Sequence, residues 1–274
     1  MKKLLRIKLI FVLCVTWISV SAQFQPPNPN APKGVPGSVP SGDPRTEQMT
    51  HAMSEFYQPA TPVVTPGDIC THSAPSDAII LFDGTDLSAF KDAWTGGEPG
   101  WILNDDKTVT VGKGSLSTKQ DFENFQLHLE WYVSAPINEG QDRGNSGIYL
   151  QGKYELQILD SYDNETYVNG QCASIYKQIA PLVNAVRKPG EWNVYDIIYH
   201  APVFKADGTY RYQPTVTVML NNVLVIDNYS IVGTTEYVGF PKIIEHGPGP
   251  IMIQNHGTNQ DDPMRFRNIW IRVL

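Results

Sequence analysis

The chain has little charge and no extended helical patterning. Charged residues make up 18% of its 274 residues, and acidic residues outnumber basic ones, giving a formal net charge of -7. Proteins that bind nucleic acids or anionic membranes need basic patches. We therefore expect no nucleic-acid partner. No long stretch places apolar residues at the 3.6-residue helical period, which argues against an α-helical fold.

Cysteines are few, and the apolar runs are short. The chain has only 3 cysteines, and Cys14 lies in the N-terminal apolar run Leu9–Val20. That run is too short for a typical membrane helix, so we expect no membrane span after signal removal. Cys70 and Cys172 either pair in an oxidising compartment or remain two buried thiols. Both alternatives stay open, because sequence does not show whether their Cα atoms approach.

The N-terminus has the parts of an export signal. Basic residues lie within Met1–Lys8, the apolar run follows, and Val20-Ser-Ala22 offers small residues for cleavage before Gln23. Leu13 precedes the first cysteine, where a lipoprotein signal needs a small residue. These features predict a signal peptide at residues 1–22 and soluble export to the periplasm or the extracellular space.

Two segments follow the signal. Residues 23–67 are rich in proline, glycine and small polar residues, which cannot bury enough apolar surface to fold alone. We predict a proline-rich arm there, with one short helix over Thr46–Tyr57. The remaining residues, 68–274, are predicted to form one all-β domain.

The β prediction depends on alternation. Apolar and polar residues alternate over Phe125–Val133, the period of a strand with two different faces. Asn221-Asn222 suits a tight hairpin, because asparagine tolerates positive φ. Many short strands with turn signals between them indicate a sandwich or barrel. The further predicted strands are Ile79–Phe82, Thr108–Gly112, Gly147–Gln151, Tyr154–Leu159, Val194–Tyr199, Thr215–Leu220, Val223–Asp227, Ile251–Gln254 and Phe266–Val273.

Four strand regions carry bulky polar side chains at alternate positions. If these strands are neighbours, their polar faces form a concave wall suited to a sugar. Ordinary solvated strand faces have the same spacing, so spacing alone leaves both interpretations open. The four sets are Gln126, His128, Glu130 and Tyr132; Asn145, Tyr149 and Gln151; Glu155 and Gln157; and Gln254 and His256.

Several motifs between Ala78 and Leu274 share the order and spacing of one known family. The longest are Arg143-Gly-Asn-Ser-Gly-Ile-Tyr-Leu-Gln151 and Tyr154-Glu-Leu-Gln-Ile-Leu-Asp-Ser161. Others are Leu81-Phe-Asp-Gly-Thr-Asp-Leu87, Leu127-His-Leu-Glu-Trp131, Gly190-Glu-Trp-Asn193, Ile253-Gln-Asn-His-Gly257 and Arg265-Phe-Arg-Asn-Ile-Trp-Ile271. Together they resemble the 3-keto-disaccharide hydrolase family. The resemblance implies a concanavalin A-like lectin/glucanase fold, a jelly-roll sandwich of two antiparallel sheets. Asn255 departs from the aspartate common in the family, which removes a carboxylate there.

The resemblance also implies a reaction, the cleavage of a glycoside already oxidised at C3. The ketone acidifies the C2 proton, so a base can remove it, the C1 oxygen leaves by β-elimination, and water then adds. This route needs a base, an acid and a group that stabilises the enolate oxygen. The chain has no glycine-rich dinucleotide motif. A small oxidised sugar or glycoside would therefore come from a separate C3 sugar oxidoreductase.

The catalytic roles that follow from the resemblance are hypotheses. Glu155 or Glu130 would be the base, His256 the acid, and His128 could exchange roles with it. Arg143 would stabilise the enolate oxygen, although it could equally brace a loop.

Substrate binding is expected from a further set of residues. Amides would hold hydroxyl groups and aromatic rings would form a platform under the sugar: Asn145, Gln157, Gln254, Tyr149, Tyr176 and Trp192. Trp192 suits a core position equally well. A divalent ion, calcium or a transition metal, is a further expectation, with His128 and Glu130 or His256 and Glu155 as its ligands.

Three other functions remain open. The same polar wall would serve a non-catalytic carbohydrate-binding module. A conventional β-glucanase would need a carboxylate pair, and Glu155-Leu-Gln-Ile-Leu-Asp160 only partly matches the glucanase pattern. Its Asp160 would face away from Glu155 unless a β-bulge intervenes. A structural or adhesive surface protein would use the proline-rich arm as a spacer.

Overall fold

The computed structural model describes residues 73–134, 138–257 and 263–274. The predicted signal peptide, the proline-rich arm with its short helix, and Cys70 lie outside the described residues. In the part of the chain that is described, no helix is long and apolar enough to cross a membrane.

Short strands dominate the structure, and the described ranges contain no α-helix. Two single-turn 3-10 helices occur, at Gly140–Asp142 and Val168–Gly170. The strands are β1 (Ile79–Phe82), β2 (Phe90–Asp92), β3 (Gly100–Leu103), β4 (Val109–Lys113), β5 (Leu116–Thr118), β6 (Phe125–Tyr132), β7 (Ser146–Leu150), β8 (Tyr154–Ile158), β9 (Trp192–His200), β10 (Val203–Phe204), β11 (Tyr210–Tyr212), β12 (Thr215–Leu220), β13 (Val223–Ser230), β14 (Met252–Ile253) and β15 (Arg265–Val273).

The strands form two main antiparallel sheets. The eight-stranded sheet has the order β13-β12-β9-β6-β15-β4-β3, and β1 also pairs with β15. The five-stranded sheet has the order β2-β5-β14-β7-β8, and β10 and β11 make a separate ribbon. Neighbours in these sheets are often far apart in sequence, as expected when strands cross between the layers of a sandwich. The predicted all-β jelly-roll sandwich is confirmed.

The core lies between the two main sheets. The apolar face of β6, including Leu127 and Trp131, is buried in one cluster with Ile148 of β7 and Leu156 of β8. Apolar burial of this kind is the main favourable contribution to folding. Alternation along β6 and β8 therefore determines which side chains are directed away from the core and remain available for a site.

Direct contacts also link the sheets. The rings of Tyr154 on β8 and Tyr199 on β9 have centroids 6.2 Å apart. The Tyr195 hydroxyl on β9 donates a 2.8 Å hydrogen bond to the Gln157 carbonyl on β8. These contacts fix β8 against the large sheet.

The predicted strands and hairpin match the structure closely. Ile79–Phe82 and Thr215–Leu220 are strands with the predicted bounds, and the other predicted strands are present with small shifts at their ends. Asn221 and Asn222 have φ values of 53° and 65° and join β12 to β13. Both residues are in the left-handed region that a tight hairpin uses.

Cys172 is a free, buried thiol. Its Sγ lies 2.9 Å from the Tyr195 hydroxyl. Burial raises the pKa of the thiol to about 12, so it stays protonated and unreactive at neutral pH.

Candidate functional site

Three neighbouring strands bring polar side chains together on the outer face of the five-stranded sheet. In the β7–β8 ladder, Tyr149 is opposite Glu155, and Gly147 is opposite Gln157. The Gln254 backbone N–H, just beyond β14, donates a 2.9 Å hydrogen bond to the Gly147 carbonyl. Three of the four predicted polar sets therefore have members on one wall, as the concave-wall hypothesis requires. Gln151 is the exception: it is buried, and its Oε1 accepts a 2.8 Å hydrogen bond from the core residue Tyr199.

These strands line an inner pocket of about 340 Å³. Its walls combine side chains from the sheet with side chains from the loop that follows β13. The described residues that line it are Asn145, Tyr149, Glu155, Gln157, Tyr176, Thr235, Tyr237, Gln254 and His256. Seven of the eleven predicted site residues are among them; Arg143, Glu130, His128 and Trp192 are not.

Glu155 is the one carboxylate among those lining residues. Its side chain is buried, and its backbone N–H donates a 2.9 Å hydrogen bond to Thr235 Oγ1. Burial raises the pKa of the carboxyl to about 7, although a hydrogen bond from the Tyr149 hydroxyl acts in the opposite direction. A carboxyl of this kind can gain or lose a proton near neutral pH.

Gly147 provides the space that Glu155 occupies. A Cβ atom at position 147 would lie 2.4 Å from Glu155 Oε1 and 3.0 Å from its carboxyl carbon. Such an approach is far inside van der Waals contact. Any larger side chain at this position would have to displace the carboxylate.

Tyr149 connects the carboxylate to the amides. Its hydroxyl accepts a 3.4 Å hydrogen bond from Gln254 Nε2. Burial and the nearby charge of Glu155 raise the pKa of the Tyr149 phenol far above its ordinary value. The phenol therefore keeps its proton at neutral pH and can donate a hydrogen bond.

Two amide oxygens in the pocket are unsatisfied within the described structure. Gln157 Nε2 donates 3.3 Å to Asn145 Oδ1 and 3.4 Å to Gln141 Oε1, whereas Gln157 Oε1 is buried without a hydrogen bond. Gln254 Oε1 is also buried without a partner. A buried acceptor without a partner is costly. Both oxygens suit the hydroxyl donors of a ligand.

His256 and Tyr176 lie nearer the entrance. His256 is exposed on one side, and burial of the rest of the ring lowers its pKa, while the charge of Asp142 acts in the opposite direction. The Tyr176 hydroxyl is 2.7 Å from the Tyr167 hydroxyl. The imidazole therefore lies on the exposed side of the pocket lining.

An outer groove adjoins the inner pocket. It has a volume of about 670 Å³ and shares Asn145, Tyr176, Tyr237 and His256 with the pocket. Its other described lining residues are Gln141, Asp142, Tyr167, Asn169, Lys177, Gly239, Phe240 and Pro241. Pocket and groove together offer space for a ligand with two parts.

Arg143 does not reach the pocket, which corrects its placement beside an enolate oxygen. Its Nε donates a 2.7 Å bond to Asp160, and its other nitrogens donate to the carbonyls of Tyr162 and Asp163 at 2.9 Å and 3.4 Å. The guanidinium therefore braces the loop after β8. The same contact accounts for Asp160, which neutralises Arg143 and does not join Glu155.

His128 and Glu130 lie on the other sheet, so their grouping with Glu155 is also corrected. Strand β6 pairs with β9 and β15, and its polar face is directed away from the five-stranded sheet. His128 Nδ1 lies 2.7 Å from Asp196 Oδ1, and its ring stacks on Trp270 with centroids 4.9 Å apart. Both polar side chains are buried, contrary to the expectation of an open polar wall.

The environment of Glu130 is that of a paired structural carboxylate. Its oxygens accept hydrogen bonds of 2.6 Å from Arg267 Nε and 2.9 Å from Asn268 Nδ2. Burial opposes ionisation, but the hydrogen bonds from His128, Asn268 and Arg267 prevail and lower the pKa of Glu130 to about 2. We call Glu130, His128, Arg267, Asn268 and Asp196 the β6 ion cluster. A carboxylate with so low a pKa is a poor base at neutral pH.

Trp192 belongs to the same face of the large sheet, so it is not a platform in the pocket. The Arg267 guanidinium lies 4.0 Å from the centre of its ring, and Tyr132 packs beside it at 5.3 Å. Tyr176 lines the pocket instead.

A divalent ion in the pocket stays a prediction from the sequence. Within the described ranges, no group of three His, Cys, Asp or Glu side chains is arranged to hold an ion. In the pocket, Glu155 and His256 are the only side chains of those types among the described lining residues. Metal centres in proteins normally need three or more such ligands or a cage of oxygens.

Two lining residues were not predicted from sequence. Thr235 and Tyr237 come from the loop after β13, where no strand alternation marks them.

Asn255 has a structural role outside the pocket lining. Its side chain donates to the Gly112 carbonyl at 2.7 Å and accepts from the Gly257 N–H at 2.8 Å. It shapes the loop that carries His256.

Comparison with known proteins assigns the chain to a family. The sequence model of the 3-keto-alpha-glucoside-1,2-lyase-like domain matches residues 77–272. The chain belongs to this family. The matched residues include all eleven predicted site residues. No match was found among curated proteins.

Solved structures agree with the assignment. A crystal structure from Parabacteroides distasonis, of a protein provisionally described as a glycosyl hydrolase, shares 53% identity. It covers 89% of this chain and 100% of its own, with a TM-score of 0.78. A second protein from that organism, with the same description, shares 22% identity over 72% of this chain and 94% of its own, with a TM-score of 0.53. The second similarity concerns the fold alone.

Proposed function

We propose that the chain cleaves 3-keto-glycosides, with the oxidised sugar ring in the inner pocket and Glu155 as the base. The carboxylate removes the C2 proton, and the electrons of that C–H bond form an enolate with the C3 carbonyl. Collapse of the enolate breaks the C1–O bond and expels the leaving group. Water then adds at C1 and a proton returns to C2, so the net reaction is hydrolysis.

The observation that carries this proposal is the environment of Glu155. It is a buried carboxylate with a pKa of about 7. Its side chain accepts a hydrogen bond from the Tyr149 hydroxyl, which is neutral. Such a carboxylate is deprotonated in part at neutral pH and still basic enough to accept a proton from carbon. The family description, which names a 1,2-lyase acting on a 3-keto-glucoside, agrees with loss of groups from C1 and C2.

The remaining roles are assigned to neutral donors and to one imidazole. Tyr149 keeps its proton at neutral pH. It would donate a hydrogen bond to the enolate oxygen once Glu155 has taken up the C2 proton and no longer needs that bond. His256, at the entrance, would protonate the leaving oxygen. The unpaired oxygens of Gln157 and Gln254 would accept hydrogen bonds from sugar hydroxyls.

The pocket is less suited to ordinary glycoside hydrolysis. That reaction needs two carboxyl groups, about 5 Å apart in retaining enzymes and about 6.5–9.5 Å apart in inverting ones. Glu155 is the one carboxylate among the described residues that line the inner pocket. Proton abstraction beside a ketone requires a single base.

The test is incubation of purified Gln23–Leu274 with a 3-keto-disaccharide and, separately, with its unoxidised parent. Released sugar is followed by mass spectrometry. We expect release from the keto form alone. Release from the parent would indicate a conventional glycosidase, and sugar binding without release from either would indicate a carbohydrate-binding module.

A further inference from the structure

The outer groove is where the other half of a substrate would lie. In the proposed reaction the oxidised ring fills the inner pocket, and the bond that breaks is at its entrance. The pocket and the groove share Tyr176, Tyr237 and His256 there. The leaving group would therefore extend past these side chains into the groove. We propose that the groove is a subsite for an aromatic leaving group, so that the preferred substrates are 3-keto-glycosides of phenols. This inference rests on the proposed function.

Ring faces are the main feature of the groove. Tyr237 is 79% exposed and Phe240 is 89% exposed, and Tyr167 and Pro241 lie in the same lining. Clustered exposed apolar side chains beside a pocket mark a binding surface. The Phe240 side chain has no polar atom, so a ligand can contact this side chain only through apolar or ring surface. Aromatic rings stack on each other with a gain beyond simple burial.

The Lys177 ammonium group contacts both Tyr237 and Tyr176 in the groove lining. Lys177 Nζ donates a 2.7 Å hydrogen bond to the Tyr237 carbonyl. It also lies 4.8 Å from the centre of the Tyr237 ring and 5.3 Å from that of Tyr176. A phenol can depart as its anion, which a nearby ammonium group favours. Asp142 lines the same groove, and its negative charge opposes the positive charge of Lys177. Recognition of the leaving group therefore depends chiefly on the ring faces.

A second sugar would meet a more apolar surface in the groove than in the pocket. Gln141 is already bonded: its Nε2 donates to Thr166 Oγ1 at 2.8 Å and to the Gly170 carbonyl at 2.9 Å. Its Oε1 accepts from Gln157 at 3.4 Å. A sugar has a hydroxyl on nearly every carbon, and each needs a partner when it is removed from water. A flat aromatic ring has no such requirement.

The test measures binding by calorimetry, with three unoxidised probes that the proposed reaction does not consume. They are phenyl α-glucoside, methyl α-glucoside and maltose. We expect the wild-type protein to bind the phenyl glucoside about tenfold more tightly than the other two. Phe240→Ala should remove this preference and leave the affinity for methyl glucoside unchanged. Tyr212→Ala, which removes a tyrosine that is 63% exposed on β11 and outside the groove lining, should change none of the three affinities.

Three results would overturn the inference. They are equal affinity for the phenyl and methyl glucosides, no detectable binding of the phenyl glucoside, and maltose binding that is as strong and as dependent on Phe240. Cleavage of methyl 3-keto-α-glucoside tests the proposed function separately, because its methyl group does not reach the groove. A phenyl preference without that cleavage would reject the reaction and retain the aromatic subsite.

Discussion

Two buried glutamates, one on each main sheet, have opposite electrostatic environments. Glu155 on β8 is hydrogen-bonded by the neutral Tyr149, and its pKa is raised to about 7. Glu130 on β6 is bonded by Arg267 and Asn268, and its pKa is lowered to about 2. Both lie on strand faces directed away from the core. The comparison teaches that the charge of the neighbours, and not burial alone, separates a candidate base from a structural anion.

The largest expected effect is on activity. Glu155→Gln keeps the size of the side chain but removes the base, so kcat/KM on a 3-keto-glycoside should fall by about a thousandfold. Glu130→Gln is the matched control and should keep activity within a few fold under conditions where it is folded. Initial rates with circular dichroism of both variants make the measurement. Equal losses in the two folded variants would remove the functional distinction between the glutamates.

The position of the Glu155 carboxylate is the next feature to change. In Gly147→Ala the added methyl group would meet Glu155 Oε1, so the carboxylate must shift. A displacement of about 1 Å at a reacting group can lower the rate about a hundredfold. Gly247→Ala is the control, because a Cβ there has no atom within 4 Å. Full activity in Gly147→Ala would show that this placement of the carboxylate is not required.

The two glutamates should also have opposite effects on stability. The raised pKa of Glu155 stabilises the fold below about pH 4.5, and this contribution is lost as pH rises through about 7. From pH 4.5 to pH 8, Glu155→Gln should therefore gain about 3 kcal/mol in unfolding free energy relative to wild type.

The lowered pKa of Glu130 has the reverse sign. Its contribution is present above about pH 4.5 and is lost as pH falls through about 2. Glu130→Gln should lose about 3 kcal/mol at pH 7. Urea unfolding of wild type and Glu155→Gln at pH 4.5 and pH 8, and of wild type and Glu130→Gln at pH 7, measures the two differences. Shifts of the same sign would contradict the assigned environments.

The smallest effect is a shift in the pH profile. For a 3-keto-glycoside of a phenol, the leaving group departs as its anion and needs no proton from His256. With this substrate the kcat/KM of the wild type should rise with pH and level off above about 7, because Glu155 must be deprotonated. Tyr149→Phe removes the hydrogen bond that lowers the pKa of Glu155, so the midpoint should move to higher pH. Stopped assays from pH 5 to pH 9 measure it. A midpoint that stays in place or falls would mean that Tyr149 does not bond the ionised base.

Local pattern was enough to predict most of the fold. The alternation over Phe125–Val133 predicted the buried face of β6, and Asn221-Asn222 predicted the turn between β12 and β13. Both features depend on residues near one another in sequence. The polar face of β6 could not be placed in the same way. Its neighbours β9 and β15 are distant in sequence, and the pairing that buries His128 and Glu130 is a property of the whole sheet.

The candidate site was predicted only in part, because some of its features also depend on residues that are distant in sequence. Tyr149, Glu155 and Gln157 come from one hairpin, so alternation placed them on one face. The role of Arg143 depends on Asp160 and on carbonyls of the following loop, which spacing does not reveal. Tyr237 comes from a loop without alternation. Its place in the pocket follows from the tertiary structure alone.

The most direct test of the central claim is cleavage of a 3-keto-glycoside in D₂O. If Glu155 removes the C2 proton, the released keto sugar should carry one deuterium at C2, because that position is reprotonated from solvent. The Glu155→Gln variant, incubated under the same conditions, corrects for spontaneous exchange beside the ketone. Cleavage that leaves the original hydrogen at C2 and shows no primary isotope effect with substrate deuterated at C2 would contradict the account, because the C1–O bond would then break without proton abstraction.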